Sequence, residues 1–347
     1  MNSSEFINGQ RAYWTHEEGS TMMLKDLIDS SPTLGSVLAT DDVKEISNLI
    51  MGGKPKQLNQ DRPWIYEIVS NSRNGIDVDK FDYLRRDTHK MNVGYCSFNH
   101  DIIMKGARVV QNQICFPEKR EFEVKKLFDS RYNLYNDCYY HKTTQSHECI
   151  LLDILNETNG VLYNFLEAIY DPKQYIDLDD TILHEVRIST EPELEKAREL
   201  VQRLDHRQFY SCVASKGIQP LVAETIGEIS EEDVINGASN SGNLKPEDIV
   251  VRKFNINMGM KDKHPLEQVR FYRTDADGNF ELIQKQLSEI STMMPERAQS
   301  SVVRLFVKDE KKFEQAQNAF EQYCSEKLGG KPQRRYLSHS QSQLNLS

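Results

Sequence analysis

Up to about residue 215 the apolar positions of this chain recur at helical spacing. Thr21-Met22-Met23-Leu24-Lys25-Asp26-Leu27-Ile28 carries that spacing, and Ser30-Ser31-Pro32 ends it. Thr40-Asp41-Asp42-Val43 predicts a second helix, capped by Thr40, with two acids complementing the dipole and Gly52-Gly53 as the stop. Residues 53–63 read as a loop and 64–70 as a short apolar helix. Asn74-Gly75 is a breaker, because both residues tolerate positive φ, and a helix restarts at about Asp77. Residues 121–159 hold no proline and predict one long helix, with Val124, Leu127, Phe128, Leu134, Tyr135 and Cys138 on its stripe and Gly160 at its end. Residues 161–169 and 193–209 predict two more helices, the second opened by Thr190-Glu191-Pro192. The exception is 107–116, where two short runs broken near Gln111-Asn112 read as a β-hairpin.

The pattern then changes. Residues 227–247 are acidic and rich in Gly, Ser and Asn, the composition of a loop or linker. Residues 248–257 alternate like a strand through Ile249, Val251, Phe254 and Ile256. Residues 269–273 and 280–283 flank a turn at 274–279, 301–307 is a further strand, and 311–327 is an amphipathic helix stopped by Gly329-Gly330. The expected fold class is mostly α with a small C-terminal α+β lobe. The expected division is a helical domain over 1–226, a linker or loop over 227–247, the lobe over 248–330 and a disordered tail over 331–347. Residues 1–13 are expected to be poorly ordered. No internal repeat is present.

Composition narrows the class. The chain has 347 residues, 38% hydrophobic and 28% charged, enough for a sizeable core. A formal net charge of −10 disfavours general nucleic-acid binding and leaves room only for a local basic site. None of the six cysteines forms a Cys-x-x-Cys pair, which excludes a zinc ribbon or thioredoxin-like motif and suggests a reducing compartment. The first residues lack the basic start and apolar run of a secretory signal. No apolar run approaches the ~18 residues of a transmembrane helix. Nuclear or cytoplasmic localisation is expected, with Lys331, Arg334 and Arg335 as a weak nuclear signal.

Candidate chemistry concentrates in residues 74–87. Four aspartates fall within eleven positions, interleaved with Lys80, Tyr83, Arg85 and Arg86. On a helix, Asp79, Tyr83 and Asp87 share one face at i, i+4 and i+8. Two carboxylates flanking a phenol suit a hard metal and a polar ligand; the same spacing also describes a solvated charged face, and spacing alone favours that plainer reading. Residues 131–142 are rich in tyrosine and in side chains able to bind phosphate.

The segment that runs from Tyr66-Glu67-Ile68-Val69-Ser70-Asn71 into Arg73-Asn74-Gly75-Ile76-Asp77-Val78-Asp79-Lys80 and Phe81-Asp82-Tyr83 resembles the SAM- and HD-domain-containing deoxynucleoside triphosphate triphosphohydrolases. The resemblance is reinforced by Trp14-Thr15-His16-Glu17-Glu18-Gly19-Ser20, by Arg131, Tyr139 and His141-Lys142, by Ser189-Thr190-Glu191-Pro192 with Ala197-Arg198-Glu199, by Asn257-Met258-Gly259-Met260, and by Pro265 before Val269-Arg270-Phe271-Tyr272. It runs from about Trp14 to Gln333. It implies an HD-type helical core and conversion of a dNTP and water to deoxynucleoside and triphosphate, a dGTPase-type step in dNTP catabolism. It implies a divalent metal (Mg, Mn, Fe or Zn) with Asp79 as one ligand. Lys80, Tyr83, Asp87, Arg131, Tyr139 and Tyr140 stand at substrate positions, and His16 at a catalytic position near the attacked phosphate. Asp77 and Asp82 are left as structural. Lys119, His141, Lys142 and Arg207 match basic positions of activating-nucleotide sites between subunits, while Pro117, Glu123 and residues 99–101 depart from them.

Other departures bear on activity. In the family the remaining metal ligands, a histidine and a His-Asp pair, precede the Trp-Thr-His motif. Here thirteen residues precede it, and none is histidine. The dipeptide His100-Asp101 follows Asp79 and reads as coincidence. Tyr140 replaces a glutamine and Phe81 a tryptophan. The HD domain is therefore expected to be incomplete, in a truncated form or a partial gene model, with apolar surface exposed along 64–87 and 124–155. The chain is expected to be inactive alone. The alternative is a catalytically silent nucleotide-binding protein that forms a homo-oligomer, or a hetero-oligomer with a full-length paralogue.

Overall fold

The computed structural model describes residues 4–7, 10–52, 61–238, 242–291 and 298–334. Helices dominate, and strands build the small lobe, as the apolar pattern predicts. Residues 1–3, 8–9, 53–60 and 335–347, parts of segments expected to be loop or disordered, lie outside the described residues. Strand Ser4–Ile7 pairs antiparallel with Gln10–Tyr13. Among the described residues no helix is long and apolar enough to cross a membrane.

The chain divides into two compact units, each drawn from three stretches. The first comprises Met1–Leu134, Asn159–His184 and Met258–Glu296. Its helix His16–Ser30 starts in a capping box: the Glu18 N–H donates to Thr15 Oγ1 at 3.3 Å, and the Thr15 N–H donates to the Glu18 carboxylate at 2.8 Å. Helix Thr40–Met51 begins one residue earlier than predicted. Ala39 occupies the cap, its N–H donating to Asp42 at 2.9 Å, and Gly52 closes the helix at φ +64°. Within the segment predicted as a short apolar helix, residues Pro63–Glu67 form a 3₁₀ turn. Helix Val78–Met91 packs on Glu121–Leu134, burying Leu84, Val124, Leu127 and Phe128 completely or almost so.

The predicted hairpin is present, Arg108–Val110 against Gln113–Pro117, turned by Gln111 and Asn112 at φ +49° and +59°. Its second strand pairs in parallel with Phe271–Thr274, which pairs antiparallel with Phe280–Ile283. The four strands make one sheet.

The second unit comprises Tyr135–Thr158, Glu185–Asn257 and Arg297–Ser347. Its antiparallel sheet runs Gln333–Arg334, Ser211–Ile218, Gln299–Val307, Ile249–Asn257. Helix Phe313–Lys327 lays Phe313, Ala316 and Phe320 against Val213, Val303 and Leu305. Strand Ser211–Ile218 is a correction to the helical reading of the chain up to 215. Within 227–247, Ser230 and Asp233 box the start of helix Glu231–Asn236, and Ile229, Val234 and Leu244 enter the core.

The run 121–159 is not one helix. After Leu134 the backbone widens into a π turn over Tyr135–Tyr139, with the Tyr140 N–H donating to the Tyr135 carbonyl at 2.9 Å, and an α-helix resumes at Lys142. Bulky aromatic rings occupy that break: Tyr139 meets Tyr135 edge-on at 4.9 Å, and Tyr140 stacks on Phe254 at 4.5 Å. Ile68, Val69 and Val78 are exposed, as predicted for 64–87, but no large apolar residue of 124–155 is exposed among the described residues. Helix Lys142–Thr158 is instead covered by Glu195–Asp205 and the sheet.

Candidate functional site

A hydrogen-bonded turn sets the head of helix Val78–Met91. The Asn71 amide donates to the Ile76 carbonyl at 3.0 Å, and its oxygen accepts the N–H groups of Arg73 and Asn74. Asn74 accepts the Ile76 N–H at 2.9 Å, and Gly75 supplies the left-handed φ of +70° that the turn requires. Asp77 is the N-cap. One of its oxygens accepts the Lys80 N–H at 3.0 Å and the other the Asn71 N–H at 3.0 Å, and the Lys80 ammonium lies 3.1 and 3.3 Å from the pair. Asn71, Asn74 and Asp77 are all buried. A bidentate Arg73–Glu67 pair, both contacts at 2.6 Å, ties this turn to the Ile114 and Gln268 carbonyls.

Asp79 sits in the first helical turn and keeps solvent contact. Its carboxyl is raised above the ordinary value, first by partial burial and next by the charge of Asp77, with Lys80 and His16 opposing. His16, the first residue of its helix, is exposed, and its ring lies 3.2 Å from Glu17. Arg86 reaches Asp82 and lies 3.3 Å from Asp87. Arg131, from helix Glu121–Leu134, comes beside Lys80 beneath the Gly259 backbone: a Cβ on Gly259 would lie 3.4 Å from Arg131 Nε and 3.6 Å from Lys80 Cε. The first unit thus gathers His16, Asp79, Lys80 and Arg131, with Tyr83 and Asp87 farther along the same helix.

The remaining predicted residues lie elsewhere. Lys119 is exposed in the turn Glu118–Arg120 of the first unit. Tyr139, Tyr140, His141, Lys142 and Arg207 belong to the second unit. There the Tyr140 carbonyl accepts a hydrogen bond from Arg304 at 2.7 Å, the His141 ring accepts the Thr143 N–H at 3.2 Å, and Arg207 follows helix Glu195–Asp205 at φ +57°. A cavity of about 980 Å³ opens beside the other face of helix Val78–Met91, lined by Phe81, Arg85, His89, Cys96, His100 and Met104 among others. Asp79, Lys80 and Arg131 do not line it.

A hydrolytic metal calls for three or more protein ligands. Among the described residues no group of three or more His, Cys, Asp or Glu could hold one. The residues present therefore do not by themselves fit the implied metal. His100-Asp101 offers no substitute, because Arg85 donates to the His100 ring at 2.7 Å and places a fixed positive charge beside it. The organisers Asn71, Asn74 and Gly259 carried no catalytic chemistry of their own in the sequence: Asn74 showed only as part of the Asn-Gly breaker, and Asn71 and Gly259 only inside family-like motifs.

The first unit is mostly helical and brings Asp79, Lys80 and Arg131 together at the head of one helix, with His16 in electrostatic reach. No family model matches the chain. It is 34% identical over 307 residues to the deoxynucleoside triphosphate triphosphohydrolase SAMHD1 homolog of Dictyostelium discoideum, an alignment covering 88% of this chain and 57% of that protein. It is 30% identical over 361 residues to the human deoxynucleoside triphosphate triphosphohydrolase SAMHD1, covering 92% and 56% respectively. It is also 30% identical over 232 residues to the putative HD domain-containing protein L394 of Acanthamoeba polyphaga mimivirus, covering 62% and 49%. The chain spans about half the length of the curated relatives it matches. It belongs to the SAM- and HD-domain-containing deoxynucleoside triphosphate triphosphohydrolase family.

Proposed function

We propose that this chain carries the nucleotide-holding part of a dNTP triphosphohydrolase site, of the dGTPase type, and serves dNTP catabolism in the nucleus or cytoplasm. The observation that carries this reading is the meeting of Lys80 and Arg131, from two helices, next to Asp79 and within electrostatic reach of His16. Lysine and arginine neutralise a triphosphate, arginine with two parallel donors. Tyr83 packs under the deoxyribose, where a 2′-hydroxyl would collide, and Asp87 orients the sugar or phosphate. By the family resemblance, Tyr139 and Tyr140 stand at substrate positions, and Lys119, His141, Lys142 and Arg207 at activating-nucleotide positions. Asp79 is one metal ligand, and among the described residues no others complete the set.

It follows that the 347-residue polypeptide binds dGTP without hydrolysing it and gains turnover only in an oligomer whose partner, such as a full-length paralogue, supplies a complete centre. In the test, the pure polypeptide is incubated with dGTP and Mn²⁺ or Mg²⁺. Triphosphate release is expected to stay at buffer background, while dGTP binding is measurable. Lys80→Ala or Arg131→Ala is expected to weaken that binding by about ten- to a hundredfold, the weight of one charge-assisted contact. Robust turnover by the pure polypeptide would sink the silent reading, and binding indifferent to both substitutions would sink the site.

A further inference from the structure

The Lys80 side chain is only 15% exposed, unusual for a lysine; it lies against the Asp77 carboxylate and near two glycines. On one side lies Gly75, at φ +70°, where an added Cβ would sit 3.6 Å from Lys80 Cε and 3.8 Å from Nζ. On the other lies Gly259, at φ +114°, where an added Cβ would sit 3.6 Å from Lys80 Cε and 3.4 and 3.5 Å from Arg131 Nε and Cδ. Both glycines occupy backbone conformations that L-residues rarely adopt. The strap carrying Gly259 is fixed at both ends. Met258 is buried on one side; on the other, buried His264 caps the turn Pro265–Gln268 by accepting the Leu266 N–H at 3.3 Å. Farther on, Arg73 holds the Gln268 carbonyl at 3.2 Å.

We propose that Gly259 is a positioning residue for phosphate recognition, its backbone closing over Lys80 and Arg131 to hold the two cations side by side for a polyphosphate. This rests on the reading that the two cations bind a dNTP. The ammonium of Lys80 has three donors, and Asp77 engages it through both carboxylate oxygens. Asp77 therefore keeps the charge in place before an anion arrives, and a donor remains for a phosphate oxygen. A Cβ at 259 would meet Arg131 and Lys80 only at ordinary contact distance, but φ +114° is strained for any L-residue, so relief of that strain moves the strap off the two cations and opens them to solvent. Gly278 is the matched control: its φ is +87°, yet an added Cβ there would meet nothing within 4 Å.

The test compares lysine acylation, read by mass spectrometry, in the whole polypeptide and in Gly259→Ala and Gly278→Ala. Exposed Lys90 serves as the internal standard. Gly259→Ala is expected to raise Lys80 labelling about tenfold, the signature of lost local protection, and to weaken dGTP binding about tenfold. Gly278→Ala is expected to change neither, whatever it does to Tm. Lys80 labelling unchanged in folded Gly259→Ala overturns the proposal. If Gly259→Ala does not fold, the unsubstituted chain still decides, because Lys80 labelled as fast as Lys90 also overturns it. Raised labelling with no dGTP binding by the parent chain upholds the positioning of the cations and overturns the nucleotide reading alone.

Discussion

Three aspartates on one helix have three different fates. Asp77 is buried, with donors on both oxygens, while Asp82 is exposed and pairs with Arg86 across one helical turn. Asp79 lies between them and carries a raised carboxyl. A carboxyl raised on folding favours the native state only while protonated. Its contribution is present below the ordinary carboxylate pKa and is lost as pH rises through the raised value. Replacing Asp79 by asparagine is therefore expected to raise Tm at pH 7 by about 1–2 °C. The gain should shrink to nothing as the pH falls below the carboxylate range, as thermal melts across that range would reveal. A gain that persists in acid would mean that Asp79 acts through packing and not charge.

At the scale of elements, the turn 71–77 determines where the Asp79 helix begins. Most of its polar groups bond one another, which lowers the cost of burying Asn71, Asn74 and Asp77, while the Asn74 Nδ2 stays buried without a hydrogen-bond partner. Asp77→Ala removes the cap, orphans the Asn71 and Lys80 N–H groups and leaves a nearly enclosed ammonium without its carboxylate. The expected loss is about 2–4 kcal/mol by urea unfolding. Asp82→Ala, which breaks only an exposed pair, is expected to cost less than about 0.5 kcal/mol. Equal losses would show that the turn does not depend on its cap. The π turn at Tyr135–Tyr139 is a second organiser: one extra residue in the turn shifts the stripe of the following helix and sends Tyr140 onto Phe254.

At the scale of the whole molecule, each unit closes a core from segments far apart in sequence. Its thiols report that closure. Burial pushes Cys149 up to about 11 and Cys324 up to about 12, and it also raises Cys115. Cys96, Cys138 and Cys212 are half-buried. Alkylation at pH 8 is expected to modify those three well before Cys115, Cys149 and Cys324, which should react only as urea unfolds the chain. Rapid modification of Cys149 or Cys324 without denaturant would contradict a closed core in the second unit.

Much was legible in local order. The stripe of Val124, Leu127 and Phe128, the hairpin turn at Gln111-Asn112 and the breaker at Asn74-Gly75 are short-range signals, and each element formed where its signal lay. The family was also legible, because the 66–83 segment is contiguous. What could not be read is whatever depends on a distant partner. Strand Ser211–Ile218 extends because the edges of Gln299–Val307 and Gln333–Arg334 satisfy its backbone, a condition absent from its own residues. Hairpin 271–283 extends hairpin 108–117 because Phe116 and Phe271 pair across more than a hundred residues. In residues 74–87 the local code placed Asp79, Tyr83 and Asp87 on one helix. Long-range packing brought Arg131 to Lys80 and set Gly259 over both, because burial and backbone satisfaction are settled between segments, not within them.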